Sequence, residues 1–419
     1  MYNYTGLAPA AAMRRRLVIL QMLTLAASWA PSRLLPSTRV TAGLPHHMCA
    51  SIAQPVTARP VSFATTSVSI QGQSVPVAIW CPTSLLPESW RRTSTDAYEY
   101  KIDVGRIATK LEVDWLSWLP SRRVKLARAG ASACNPPSDD ERLGDGLIFA
   151  HGFLGSPFDM AHACEALACD GFIVVAPECP ESLSASYESR EGLNREAIVR
   201  ATQQAVDATV AQQGDGAPRR WGIFGHSAGS ATAILHPGEF ALGRVCVATA
   251  IGRVLQSSTS DPLFLVASEG DGCNEKMAEQ GVSSPRAALT LARVSKSPPF
   301  TAFESANDAY ARPPSPNGQP PPRRGVLLFQ KGRDALLPNH MSFLWRDTNE
   351  ALFELLAPLL PLARGLGLFL LDFDTERDAR LAVPTAAQLV PAMRRFYGTW
   401  RAAGQEKGSG NRPSRSDAE

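Results

Sequence analysis

Five residues, Gly225-His226-Ser227-Ala228-Gly229, form a G-x-S-x-G element. It follows the apolar run Trp221-Gly222-Ile223-Phe224 and precedes Ser230 to Leu235, which reads as a helix. A serine on a sharp strand-to-helix turn has its Oγ lifted clear of the backbone and open to a base on one side and a substrate on the other. Glycines flank it because a Cβ at either position would strike neighbouring backbone. Acyl transfer by such a serine needs an imidazole base, a carboxylate to orient it and N–H donors for the oxyanion. Two histidines follow Ser227, His236 and His340. Carboxylates cluster in Glu269-Gly270-Asp271-Gly272. Candidate donors are the backbone N–H groups of Phe153, in His151-Gly152-Phe153-Leu154-Gly155, and of Ala228. Each is worth on the order of 3 kcal/mol in a transition state.

The elements needed to bring these groups together are legible. Thr66 to Ile70 and Val75 to Trp80 are β-rich runs joined by Gln71-Gly72-Gln73-Ser74, the pattern of a hairpin. Short, continuously apolar strands are predicted at 147–150, 172–176, 221–224, 245–250, 263–267 and 326–329, with helices at 165–169 and 192–213. Fully apolar strands alternating with helices indicate a parallel sheet covered on both faces. The expected fold class is therefore α/β, with a hairpin feeding a mostly parallel eight-stranded sheet in the α/β-hydrolase arrangement.

In that arrangement the chain order is Ser, acid, His. His236 ends the helix that begins after Ser227, is followed by Pro237 and points away from the turn. His340, on a loop beyond the last predicted strand, is left as the base. Asp271 sits on a glycine-flanked loop at a strand's carboxyl edge and is the expected acid, with Glu269 as its competitor. Asp261 precedes the strand, at the wrong edge, and Asp334 reads as a solvated loop charge. His151 and His226 are expected to be structural. The chemistry calls for no metal or organic cofactor. Phe153, Leu154, Phe158, Met160 and Met341 would either line an apolar acyl or alcohol pocket or belong to the core under the loops.

Outside the core pattern, insertions are expected at 82–145, with Trp90, Trp115 and Trp118, and at 284–324, a Pro- and Ser-rich stretch read as disordered rather than as a substrate lid. The domain is expected to span 61–401, with 402–419 a disordered tail. Residues 1–60 read as a targeting leader: Arg14-Arg15-Arg16 precedes an apolar run from Leu17 to Ala27, and no acid occurs before Glu88. A signal followed by a transit-like stretch points to a plastid, with secretion as the alternative. The leucine-rich segment Ala351 to Leu371 is interrupted by Glu354 and Arg364 and reads as buried helices, although lipid contact stays open. Net charge is +3, from 42 basic and 39 acidic residues, so nothing points to nucleic acid. The 8 cysteines show no C-x-x-C pair, and buried free thiols are the default expectation, with a few disulfides an alternative.

The sequence resembles the α/β-hydrolase superfamily, in its dienelactone-hydrolase, platelet-activating-factor acetylhydrolase and chlorophyllase-like branch. The similarity spans about residues 64 to 400 in motif order. It rests on Pro76 to Pro82, the His151-Gly152 loop, Gly171 to Glu178, Ser182 to Tyr187, the Ser227 element and Asn339 to Leu344. The resemblance implies Ser227 as nucleophile and His340 as base. The acetylhydrolases and chlorophyllases carry their acid after the sixth strand, where this chain has Ala248 to Arg253 and no carboxylate. Asp271, after the seventh, matches the dienelactone-hydrolase placement. Ala228-Gly229-Ser230 also departs from the Arg-Gly-Gly of chlorophyllases. The expected function is a serine hydrolase cleaving a small, lipid-like or apolar carboxylic ester, with peripheral membrane contact open. The alternatives are an acyltransferase or thioesterase with the same triad, or a catalytically silent binding protein.

Overall fold

A computed structural model describes residues 61–85, 90–92, 97–110, 114, 117–118, 121–128, 144–184, 187–212, 220–248, 259–273, 300–311, 321–356 and 375–409. The expectations for 1–60, for most of 284–324, for 357–374 and for 410–419 lie outside the described residues. The chain divides into two compact units, Thr57–Phe353 with Leu371–Glu419, and Met1–Val56 with Glu354–Leu370. Only the first is described in any detail.

That unit opens with a hairpin of β1 (Val61–Ile70) and β2 (Gln73–Pro82). Gln71 and Gly72 both have positive φ, 51° and 75°, the backbone of a two-residue type I′ turn. Next come β3 (Arg91–Arg92), β4 (Ala97–Asp103), α1 (Val104–Lys110) and β5 (Ser121–Ala127). The alternating part follows: β6 (Gly146–Ala150), α2 (Ala161–Cys169), β7 (Ile173–Pro177), α3 (Arg195–Ala211), β8 (Trp221–His226), α4 (Ala228–Leu235) and β9 (Gly243–Val247). It closes with β10 (Leu263–Ser268), β11 (Thr301–Phe303), β12 (Arg324–Phe329), a 3₁₀ turn at His340–Phe343, α5 (Arg346–Leu356) and α6 (Thr375–Ser409).

Ten of the twelve strands form one sheet ordered β11-β12-β10-β9-β8-β6-β7-β2-β1-β3, and β4 and β5 pair antiparallel in a separate two-stranded sheet. From β11 to β7 every pairing is parallel, and the β2, β1 and β3 edge is antiparallel. All eight expected strands are present, and two short ones extend the edges. Arg91–Arg92 pairs with β1, and Thr301–Phe303 pairs with β12 inside the stretch read as disordered. Phe303 is held there by packing on Phe264 and Tyr310, contacts that no local pattern announces.

Strands β6, β7, β8 and β10 are buried at every position, as their unbroken apolar runs require. The 82–145 insertion contributes to the core as well. Tyr98 on β4 accepts a hydrogen bond from Trp80 Nε1 at 2.8 Å and donates one to Glu165 on α2, and its ring packs against Phe63 and Phe158. Helix α6 runs to Ser409, past the Arg401 boundary set for the tail. It is anchored by Tyr397 Oη donating to Ile223 O at 2.8 Å and by Arg394 on Asp170. Cys81, Cys164, Cys179 and Cys246 are buried free thiols, whereas Cys169 is disulfide-bonded.

Candidate active site

The path of the chain through the sheet fixes where a site can form. After β6 the chain moves outward to β7, and after β8 it moves the opposite way to β9. The two connections diverge, leaving a crevice at the carboxyl ends of the adjacent strands β6 and β8. The His151-Gly152-Phe153 loop leaves β6 there, and Ser227 leaves β8.

Ser227 has φ 55° and ψ −118°, a conformation that costs a non-glycine residue on the order of 1–3 kcal/mol. The surroundings enforce it. Ser227 N–H donates to Val247 O at 3.0 Å, and Ser227 O accepts from Ser230 N at 3.0 Å as α4 begins. A Cβ on Gly225 would lie 2.2 Å from the Gly229 carbonyl, and one on Gly229 would lie 1.8 Å from Ala150 O. The elbow is thus pressed directly onto the end of β6. Gly152 meets it from the other side, where a Cβ would sit 3.5 Å from Ser227 Cβ.

Among the described residues, neither Phe153 N–H nor Ala228 N–H has an acceptor. Ala228 is the first residue of α4, so its N–H is one of the donors a helix leaves open. The Phe153 side chain is 45% exposed, unusual for so large an apolar group. Of the other candidates for an apolar pocket, Phe158, Met160 and Met341 are buried and Leu154 is half-buried, and Phe158 packs within the cluster of Tyr98, Tyr100 and Trp80.

His340 and Asp271 meet in the interior. His340 Nδ1 lies 2.9 and 3.0 Å from the two Asp271 oxygens, and both side chains are almost wholly buried. Glycine explains the approach: a Cβ on Gly270 would lie 2.8 Å from Pro338 O, so the loop after β10 fits under the loop carrying His340 only without one. Glu269 faces elsewhere, accepting from Lys331 N at 2.7 Å. Of the two carboxylates left open by the sequence, Asp271 is the one that reaches the imidazole. Asp334 is occupied by Gln330 N and Arg333, and Asp261 by Arg244.

The backbone of His340 is clamped. Asn339 caps the 3₁₀ turn by accepting from His340 N, Ser342 Oγ accepts from Asn339 N at 3.1 Å, and Asn349 Nδ2 donates to Met341 O at 2.8 Å. His226, next to Ser227, donates Nε2–H to His340 O at 2.9 Å, and the two rings lie 4.8 Å apart. This contact joins the serine elbow to the imidazole loop. Burial first, and the neighbouring His340 ring second, push the His226 pKa down to about 3, so its ring is neutral. His151 is likewise structural, with Nδ1–H donating to Gly152 O at 2.8 Å and Nε2 accepting from Cys179 N at 2.9 Å. His236 bonds Glu196 O and Gly238 N at the far end of α4.

Two features escaped the sequence reading. Asp159, buried and bonded to Ser156 Oγ at 2.9 Å, has its pKa raised to about 7 by burial. Arg195 reaches from the start of α3 to the carbonyls of the β6 loop. The one local hint of the latter is a cation in the first turn of a helix, where the macrodipole disfavours it.

The strand order, the strained serine after β8 and the glycine-bearing loop after β6 define an α/β-hydrolase fold. No protein-family model and no curated protein matches the chain. Solved structures are similar at low identity. An α/β serine hydrolase without a lid from Xanthomonas campestris is 12% identical, with TM-score 0.35, over 75% of this chain and 98% of that one. A Klebsiella pneumoniae protein assigned as a dienelactone hydrolase is 11% identical, with TM-score 0.32, over 71% of this chain and 98% of its own. A Pyrococcus furiosus esterase is 11% identical, with TM-score 0.33, over 72% of this chain and 90% of its own.

Proposed function

We propose that this chain is a serine hydrolase that cleaves a carboxylic ester through an acyl-enzyme on Ser227. His340 takes the Ser227 proton as Oγ attacks the ester carbonyl. Asp271 holds Nδ1–H and stabilises the imidazolium that forms. The oxyanion is received by the N–H groups of Phe153 and Ala228. Collapse of the tetrahedral intermediate expels the alcohol, protonated by His340. A water activated by the same ring then releases the acid.

What supports this most is the buried His340–Asp271 hydrogen bond, tied through His226 to the turn that bears Ser227. The exposed Phe153 side chain favours an apolar acyl or alcohol group, since it flanks one proposed oxyanion donor. We also propose that residues 1–60 direct the chain to a plastid, supported by their arginines and lack of acids. A fluorescent fusion of that segment tests this, with secretion the opposing outcome.

Catalysis is tested by incubation with a fluorophosphonate probe and with p-nitrophenyl esters of short and long acyl chains. The wild-type chain should label once and release p-nitrophenol, and Ser227→Ala should do neither. Labelling that survives Ser227→Ala overturns the assignment.

A further inference from the structure

Resting on that reading, we propose that Arg195 is a positioning residue that aims the Phe153 oxyanion donor. Arg195 is the first residue of α3, beside its N-cap Asn194, whose side chain accepts from Ala197 N at 2.9 Å. A cation is poorly placed at this end of a helix. Its side chain turns back over the β6 loop: Nη1 donates to His151 O at 2.7 Å and Nη2 to Gly152 O at 3.3 Å. Nε is held by Glu181 Oε2 at 3.1 Å, and Glu181 O accepts from Leu154 N at 3.0 Å. The Arg195 side chain is 15% exposed and so largely shielded from competing water.

The consequence follows from peptide geometry. Gly152 C=O and Phe153 N–H belong to one planar trans unit and point in opposite directions. Gly152 O also accepts from His151 Nδ1 at 2.8 Å and Gly155 N at 3.2 Å. With this oxygen gripped by three donors, the plane cannot rotate, and Phe153 N–H is aimed away from Arg195. A Cβ on Gly152 would lie 3.5 Å from Ser227 Cβ, so the peptide that Arg195 holds borders the serine. The charged guanidinium also polarises the peptide, making the N–H a stronger donor. Leu154, the residue after Phe153, has φ 52°, so the loop doubles back at once and depends on outside contacts to hold its shape.

Arg195→Met, Arg195→Lys and Glu181→Gln test this on the full chain, with active sites counted by end-point fluorophosphonate labelling. Turnover of p-nitrophenyl butyrate and inhibition by an alkylboronic acid, which forms a tetrahedral adduct on serine, are measured per labelled site. Losing an oxyanion donor outright costs about 10²–10³ in kcat. Misaiming one should cost about 10–100-fold in Arg195→Met, with KM within twofold and boronate affinity weakened by the same factor as kcat. Lysine cannot grip two carbonyls as a planar fork does, so Arg195→Lys should fall between, at about 3–10-fold. Glu181→Gln should match it. A per-site kcat within twofold of wild type for both Arg195→Met and Arg195→Lys overturns the proposal, whether or not thermal stability falls. Failure of the underlying reading is a separate result: the wild-type chain would not label at Ser227 at all.

Discussion

Asp271→Asn isolates the role of the acid with almost no change of shape. In the wild type both carboxylate oxygens lie within 3.0 Å of His340 Nδ1 in a buried setting. In the proposed mechanism His340 accepts the serine proton and becomes an imidazolium beside a carboxylate. With charge centres about 4 Å apart and an effective dielectric constant near 20, that attraction is about 4 kcal/mol. At about 1.4 kcal/mol per decade, its loss lowers kcat roughly 10³-fold. An amide can also donate through Nδ2 to Nδ1, trapping the ring in the tautomer that cannot accept the serine proton, which brings the expected loss toward about 10⁴-fold. KM should change little, because the attraction exists only once charge develops. Glu269→Gln is the control: its carboxylate is taken up by Lys331 N, so kcat should stay within about threefold. Initial rates with p-nitrophenyl butyrate, with melting temperatures to confirm folding, decide the matter. A crippled Glu269→Gln beside an active Asp271→Asn would refute the assignment.

Four further substitutions have expected outcomes. Ser227→Ala should abolish fluorophosphonate labelling and lower turnover by about 10⁴–10⁶-fold, read from progress curves. Gly229→Ala should cost about 3 kcal/mol or more, because its Cβ would fall 1.8 Å from a backbone oxygen that cannot yield. Gly72→Ala, with φ +75° but open space around it, should cost only about 1–2 kcal/mol, and urea midpoints compare the two. Finally, Asp159 keeps its proton in the folded state to about pH 7 but loses it near pH 4 when unfolded. Between these values the folded state binds more protons, so this group makes stability fall as pH rises. Asp159→Asn should therefore lose less stability than the wild type between pH 5 and pH 7.5. An unchanged slope in chemical denaturation at those pH values would contradict the buried, protonated acid.

The sequence alone determined what depends on neighbours along the chain. A G-x-S-x-G turn between an apolar strand and a helix carries its own steric logic, and Gly225 and Gly229 sit where a Cβ would meet backbone. Six of the eight main strands were legible because a strand buried on both faces must be apolar throughout, and the β1–β2 hairpin from its β-rich runs flanking a turn. His340 was reached by elimination as the candidate base, and the structure places its ring against Asp271. Tertiary structure decided the rest. Glu269 and Asp271 are two residues apart and chemically alike, and only the fit of Gly270 beneath Pro338 selects which one turns toward the imidazole. The edge strands Arg91–Arg92 and Thr301–Phe303 are too short to carry a period and are held by partners far away in sequence. Phe158 became core rather than pocket because Tyr98 and Tyr100 of β4 pack against it, and Met160 is buried as well. Arg195 acquires its partners only through folding, 44 residues from His151 along the chain. Turn sterics and burial patterns are local and can be written in a few residues, whereas the direction of a side chain on a loop is set by whatever the fold brings against it.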